Sequence, residues 1–341
     1  MTKTNPGRFF EDYTVGETIP HAVPRTVGVG ERSLYHALYP ARHALHSSDA
    51  FAQSIGLDAS PLDDLIVFHT VFGKTVPDIS LNAVANLGYA EGRFFRPVYP
   101  GETLRASSEV IGVKENSSGK TGIVWVRTRG MSGHDHVLEY VRWVMVRKRE
   151  PGSPAPAPVV PELAPFVGPD ALVLPKGLHL SNYDFDLAGE PYRASAYDIG
   201  ERIDHVDGVT LEEAEHMMAT RLWQNTAKVH FDATAREDGK RLIYGGHILS
   251  LARALSFNGL ANAQMIVAIN GGAHANPAFA GDTVRAWSEI LDKAETAVAG
   301  VTAVRLRLVA TKGDPFVRKN AEGRYFPDVL LDFDYWALFP S

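Results

Sequence analysis

Thirteen histidines and no cysteine define the chemistry open to this 341-residue chain. Without a thiol there is no disulfide, no thiolate nucleophile and no thiolate metal site, so catalysis rests on histidine, carboxylates, amides and backbone. Spacing then sorts the candidates. His134, Asp135 and His136 fall in a turn between two β-type runs, where alternate side chains face solvent; holding a metal there would need convergent groups from elsewhere. KENSSGKTG (114–122) looks like a phosphate loop only on the surface, since it lacks the leading glycine spacing and precedes a strand. Both read as hairpin turns. Gly245 and Gly246 differ because they open a helical stretch. A glycine pair there either marks a tight helix entry or lets a ligand approach the unpaired amides of the first turn. Arg253 lies further along that stretch. A cation on an apolar helix face is costly unless paired, so it meets either an anionic ligand or an internal carboxylate.

An internal repeat supplies the elements that must position these residues. PVYPGETLRASSEVIGVKE (97–115) aligns without a gap on PAFAGDTVRAWSEILDKAE (277–295), sharing Pro97, Gly101, Thr103, Arg105, Ala106, Ser108, Glu109 and Glu115. Upstream, YTVGETIPH (13–21) matches YDIGERIDH (197–205) in the same order. Between the matched blocks lies a buried helix in each half. In the second, Ile248, Leu251, Ala252 and Leu255 fall at helical spacing; in the first, LDDLIVFHTVFGKTV (62–76) is apolar nearly all round. β-type runs follow: GIVWVRT and VLEYVRWVMVRK in one half, VTAVRLRLVAT and VLLDFDYWALF in the other. Eight of the 21 prolines fall between Pro151 and Pro175, a composition that favours extended backbone. The reading is an α+β chain of two units, 1–150 and 193–341, joined by a proline-rich linker at 151–192. Each unit is an antiparallel sheet curved around a central helix, and the two pack as a pseudo-dimer.

Composition narrows the partners. Hydrophobic residues make up 45% and charged residues 22%, which is globular rather than disordered. A formal charge of −6 argues against a nucleic-acid partner, which demands a dense cationic face. The N-terminal MTKTNPGRFFEDYTVGE has no signal-like apolar run and no window is long enough to span a bilayer, so the expected location is the cytoplasm, away from membranes.

The PGET and AGDT segments and their spacing resemble the MaoC-like hydratases of the double hot-dog type. HSSDAFA, VFHTVFGKTVPDISLNAVANLGYAEGRF, QNTAKVHFD and YGGHILSLARALSFNGLANA resemble the mesaconyl-CoA (2-methylfumaryl-CoA) hydratase branch of that family. The resemblance covers nearly the whole chain apart from the linker. It implies a cofactor-independent hydro-lyase, with no metal, acting on a coenzyme A thioester: mesaconyl-CoA hydrated reversibly to β-methylmalyl-CoA. It also implies a homodimer.

The family's G-D-x-N-P-x-H motif places His230 at its histidine and Asn225 at its aspartate. In the first half it places His46 and Ala41. Hydration requires a base for the attacking water, a proton for the α-carbon and donors to the thioester oxygen as enolate charge develops. The resemblance makes His230 the acid/base, an imidazole titrating near neutral pH, and lets Asn225 hold water through its carbonyl. Ala41 can do neither, so the second half is expected to be catalytic. His46 is left a structural or ligand-contact role. The acid is either His230 itself or Asp232. Where the family carries A-H-G, this chain reads YGGHI, placing the oxyanion hole at Gly246 and His247. The first half reads VFHTV, where Phe68, His69 and Thr70 would block a thioester. Lys228 and Arg253 are the cations expected to meet the substrate carboxylate and phosphates. Two rivals stay open: a hot-dog thioesterase and a non-catalytic acyl-CoA-binding protein.

Overall fold

The computed structural model describes residues 3–313 and 317–341. Each half builds five strands and a buried helix in the same order. The first half holds β1 (Thr18–Val27), α1 (Val29–Leu38), α2 (Ala44–Ser47), α3 (Asp49–Ser54), α4 (Asp64–Thr75), β2 (Ala83–Phe94), β3 (Glu102–Glu115), β4 (Thr121–Ser132) and β5 (Asp135–Arg147). The one-turn α5 (Phe185–Ala188) sits in the connector. The second half holds β6 (Arg202–Thr210), α6 (Glu213–Leu222), α7 (Lys228–Phe231), α8 (Gly245–Leu255), β7 (Met265–His274), β8 (Thr283–Glu295), β9 (Val301–Lys312) and β10 (Val329–Pro340). This is a double hot-dog, α4 and α8 being the two wrapped helices. His134 and the 116–120 stretch do fall in the β4–β5 and β3–β4 hairpin turns. Among the described residues no helix is long and apolar enough to cross a membrane.

The two curved half-sheets are continuous. β2 pairs antiparallel with β7, Tyr89 opposite Gly272 and Gly92 opposite Ile269, which gives one ten-stranded sheet ordered β1-β3-β4-β5-β2-β7-β10-β9-β8-β6. These joining strands are rich in glycine for a steric reason. A Cβ on Gly272 would lie 2.7 Å from the Tyr89 ring, and one on Gly92 2.7 Å from Ile269 Cβ.

All twelve residues of α4 are buried, as are Gly246 to Leu255 of α8, in line with their apolar sequences. The helices meet at matching places. His69 and Ser250, each the sixth residue of its helix, are hydrogen-bonded at 2.9 Å between Nε2 and Oγ. The connector is tied to both halves: Val159 bridges to Val113, Val167 N donates to Asn270 Oδ1 at 2.8 Å, and Trp336 Nε1 donates to the Val167 carbonyl at 2.9 Å.

Candidate active site

A cavity of about 270 Å³ lies between the halves. The second half contributes Asn225, His230, Tyr244, Gly245 and His274; the first contributes Phe72, Ser80, Asn86, Tyr89 and Arg142. Apart from Asn276 its remaining walls are apolar, with Val76, Val229, Ile248 and Leu330 among them, which strengthens the polar contacts inside.

His230 is the third residue of the short helix α7. Its Nδ1 lies 2.7 Å from the Leu242 carbonyl, and a carbonyl can only accept, so the proton sits on Nδ1 and the lone pair on Nε2. Burial lowers its pKa, with the Leu242 bond opposing, so the ring is neutral and basic at neutral pH. Asn225 is buried beside it. Its Oδ1 accepts from the Ala227 amide at 3.1 Å and keeps a second lone pair, and its amide nitrogen also carries hydrogens for water or substrate.

Helix α8 begins at the cavity without a side-chain cap. The Tyr244 amide donates to His216 Nε2 at 2.9 Å and the His247 amide to the Tyr244 carbonyl at 2.9 Å. The amides of Gly245 and Gly246, in the first turn, have no carbonyl four residues back inside the helix. They are therefore the donors at this end, together with the positive pole of the helix dipole. Gly245 must be glycine here, since a Cβ would lie 2.4 Å from Nδ1 of His274.

The structure brings together three of the residues singled out in the sequence, His230, Asn225 and the Gly245–Gly246 helix start, and leaves four others elsewhere. The His247 amide is spent on Tyr244, and its ring is buried with Nδ1 3.1 Å from the Tyr39 hydroxyl, so the donor pair shifts by one residue to Gly245 and Gly246. Asp232 is exposed and binds Thr234 through both its amide, at 2.9 Å, and its hydroxyl, at 2.7 Å. Lys228 is exposed between Ala227 and Val229, which do line the cavity. Arg253 is buried away from it, hydrogen-bonded to Ser256 Oγ at 3.1 Å and to the Ala263 carbonyl.

The pairing of YGGHI with VFHTV also shifts. Because α4 starts at Asp64 and α8 at Gly245, the true counterpart of Tyr244–Gly245 is Asp63–Asp64. Phe68 to Thr70 lie one turn further in, where His69 meets Ser250 of α8 and Phe68 packs on Tyr89 and Tyr140.

Sequence reasoning missed Arg142, His274 and Tyr89. Tyr89 Oη lies 3.0 Å from His274 Nε2. Burial lowers His274 to about 4 and keeps it neutral. The available signal was an arginine inside the apolar run VLEYVRWVMV, and a histidine ending MIVAINGGAH.

A family model described as mesaconyl-CoA hydratase matches residues 1–315. A mesaconyl-CoA hydratase of Cereibacter sphaeroides is 72% identical over 341 residues, covering 99% of both chains. A β-methylmalyl-CoA dehydratase of Chloroflexus aurantiacus is 58% identical over 348 residues, covering 99% of this chain and 98% of its own. The crystal structure of a putative MaoC domain protein dehydratase from Chloroflexus aurantiacus superposes with a TM-score of 0.97 at 57% identity, covering 100% of this chain and 99% of that one.

Proposed function

We infer the reaction from one premise: this chain belongs to the mesaconyl-CoA hydratase family, and it is a hydro-lyase. We propose that it adds water reversibly to mesaconyl-CoA to give β-methylmalyl-CoA. The observation that carries this reading is the free Nε2 lone pair of His230 in the same cavity as Gly245, the first residue of an uncapped helix whose next amide is that of Gly246.

In the hydration direction His230 Nε2 takes a proton from water as its oxygen bonds to the β-carbon. Electron density moves from the double bond onto the thioester oxygen, which accepts hydrogen bonds from the Gly245 and Gly246 amides. The buried imidazolium, a strong acid because burial disfavours its charge, then delivers a proton to the α-carbon. Asp232 takes no part in this scheme. Asn225 donates to the water, orienting its lone pair toward the β-carbon. Lys228, exposed next to the cavity wall, is placed to meet the phosphates of the coenzyme. Residues 1–150 supply binding surface, 151–192 tie the halves together and 193–341 carry the chemistry. A homodimer in the cytoplasm completes the proposal, and its mass by light scattering checks the assembly.

The test is incubation with mesaconyl-CoA, following enoyl-thioester absorbance, product mass and free thiol together. Gain of one water without thiol release is the expected outcome. Thiol release would make the protein a thioesterase, and no turnover would make it a binding module.

A further inference from the structure

Arg142 is a buried cation without an anion. Its side chain, on β5, is 0% exposed and lines the cavity. Nη2 donates to Thr75 Oγ1 at 2.7 Å and, at 3.5 Å, to Ser80 Oγ, and the guanidinium carbon lies 4.4 Å from the centre of the Phe72 ring. Nε and Nη1 have no hydrogen-bond partner among the described residues. The charge contacts that bear on it most are phenols, of Tyr140, Tyr89, Tyr13 and Tyr244, not carboxylates. Guanidinium does not deprotonate in proteins, so the charge is carried into the interior. A phenyl face and two hydroxyls, both on Nη2, do not replace the lost hydration of such a group.

The other half shows what a purely structural arginine looks like at the matching place. Strand pairing sets Val141 opposite Arg127 and Asp334 opposite Arg307, so Arg142 and Tyr335 are equivalent. Phe72 and Arg253 are each the ninth residue of their helix. The cation and the ring have exchanged places between helix and strand: Arg142 over Phe72 in one half, Arg253 over Tyr335, at 5.9 Å, in the other. Arg253 is satisfied by Ser256 and the Ala263 carbonyl. Arg142 keeps free donors, and those donors belong to the open cavity. Asn86, also lining it, has both Oδ1 and Nδ2 buried without a partner.

The end of the cavity that holds Arg142 is linked to the helix start by packed side chains. Tyr89 lies opposite Arg142 across the β2–β5 ladder, reaches His274 through its hydroxyl, and the His274 ring abuts Gly245. A small acyl group whose thioester oxygen sits at Gly245 thus extends toward Arg142.

We propose that Arg142, assisted by Asn86, binds the free carboxylate of a dicarboxylic acyl-CoA and is the residue that selects such substrates over monocarboxylic enoyl thioesters. This rests on the acyl group occupying the cavity. The carboxylate fills the vacant donors of the guanidinium, and a methyl group in its place leaves them unpaired, which is the source of the discrimination.

The test measures binding by calorimetry of two saturated thioesters, succinyl-CoA and butyryl-CoA, so it does not depend on turnover. The natural chain is expected to favour succinyl-CoA at least about 30-fold. Arg142→Met is expected to weaken succinyl-CoA about 30- to 1000-fold while changing butyryl-CoA less than about threefold, and Arg142→Lys to keep part of the preference. Equal weakening of both thioesters, or of neither, overturns the proposal. Should Arg142→Met fail to fold by circular dichroism, Asn86→Ala serves instead: a selective loss of about 3- to 10-fold for succinyl-CoA supports the proposal, and an unchanged ratio overturns it. A chain that binds both thioesters with the stated ratio but does not hydrate mesaconyl-CoA refutes the reaction and leaves the carboxylate site standing. A chain that binds neither refutes both.

Discussion

The two halves share one backbone plan and treat the start of the buried helix in opposite ways. In the first half Asp63 caps the helix, its Oδ1 accepting from the Leu65 amide at 2.9 Å, and Asp64 stands where the second half has Gly245. Asp64 Oδ2 accepts from the Ile266 amide at 2.7 Å and lies 3.7 Å from His46 Nε2. His46 itself faces two carbonyls, with Nε2 2.9 Å from that of Gln264 and Nδ1 3.4 Å from that of Pro61. Asp63, Asp64 and His46 are thus each engaged by a protein partner. In the second half the cap is absent, the amides are bare, and the histidine keeps a free lone pair toward a cavity. A missing N-cap costs a helix about 1 kcal/mol. The second half bears that cost, and in the proposed reaction its unfilled groups receive the thioester. One duplicated unit has thus become a closed, stabilising copy that lends Arg142 to the site of an open one.

Several substitutions break this contrast. The largest effect is expected from His230→Ala, which removes the base and should lower kcat by about 10³-fold, within the range for general acid–base groups. His46→Ala should lower the melting temperature and leave kcat within about threefold. Comparable losses in kcat from both would place chemistry in both halves. Next comes Gly245→Ala. The new methyl would displace His274 and the helix start together, and steady-state kinetics should show kcat down about 100-fold, as for loss of one oxyanion donor. Asn225→Ala is expected to cost about 10-fold in kcat, whereas Ala41→Asn in the closed half should change nothing; an equal effect of the pair would remove the asymmetry.

The smallest effects concern pH. Burial lowers His69 and His216 to about 3 and His205, His247 and His274 to about 4. These rings stay neutral when folded but gain protons when unfolded below pH 6.5. Stability is therefore expected to fall as pH drops from 6.5 toward 4, each ring contributing up to about 1.4 kcal/mol per pH unit. Asp64, which burial raises to about 7, acts in the opposite sense. Its penalty grows as pH rises from 3.8 to 7, so Asp64→Asn should stabilise the protein most near pH 7 and progressively less toward pH 4. Thermal melts across that range check both signs. The acid limb of kcat/KM should lie below pH 6.5, since the His230 pKa is lowered.

The duplication, both buried helices and strands β4, β5, β9 and β10 were legible, the first because the PGET and AGDT segments match and the rest because apolar periodicity carries them. β2 and β7 were not. They read AVANLGYAEGRF and MIVAINGGAH, and the glycines required where Tyr89 and Ile269 press on the backbone hide their strand character. The site was legible on one side only. His230 and Asn225 sit in a local motif, and Gly245 opens a recognisable helix. Arg142 sits in a strand between Val141 and Trp143, and nothing in that run says that its side chain meets a cavity built by another half. Arg253, on the more conspicuous helix, points away from the cavity and is held by Ser256 and the Ala263 carbonyl. The cavity exists only where two distant segments meet, and single-segment patterns carry no record of that meeting.

The central claim, one open half-site per chain assembled from both halves, is tested most directly by the crystal structure of the His230→Ala chain soaked with mesaconyl-CoA. The account expects one thioester per chain, its carbonyl oxygen at the Gly245 and Gly246 amides and its free carboxylate on Arg142. A thioester seated against Asp63 and Asp64 beside His46, or one in each half, would contradict it.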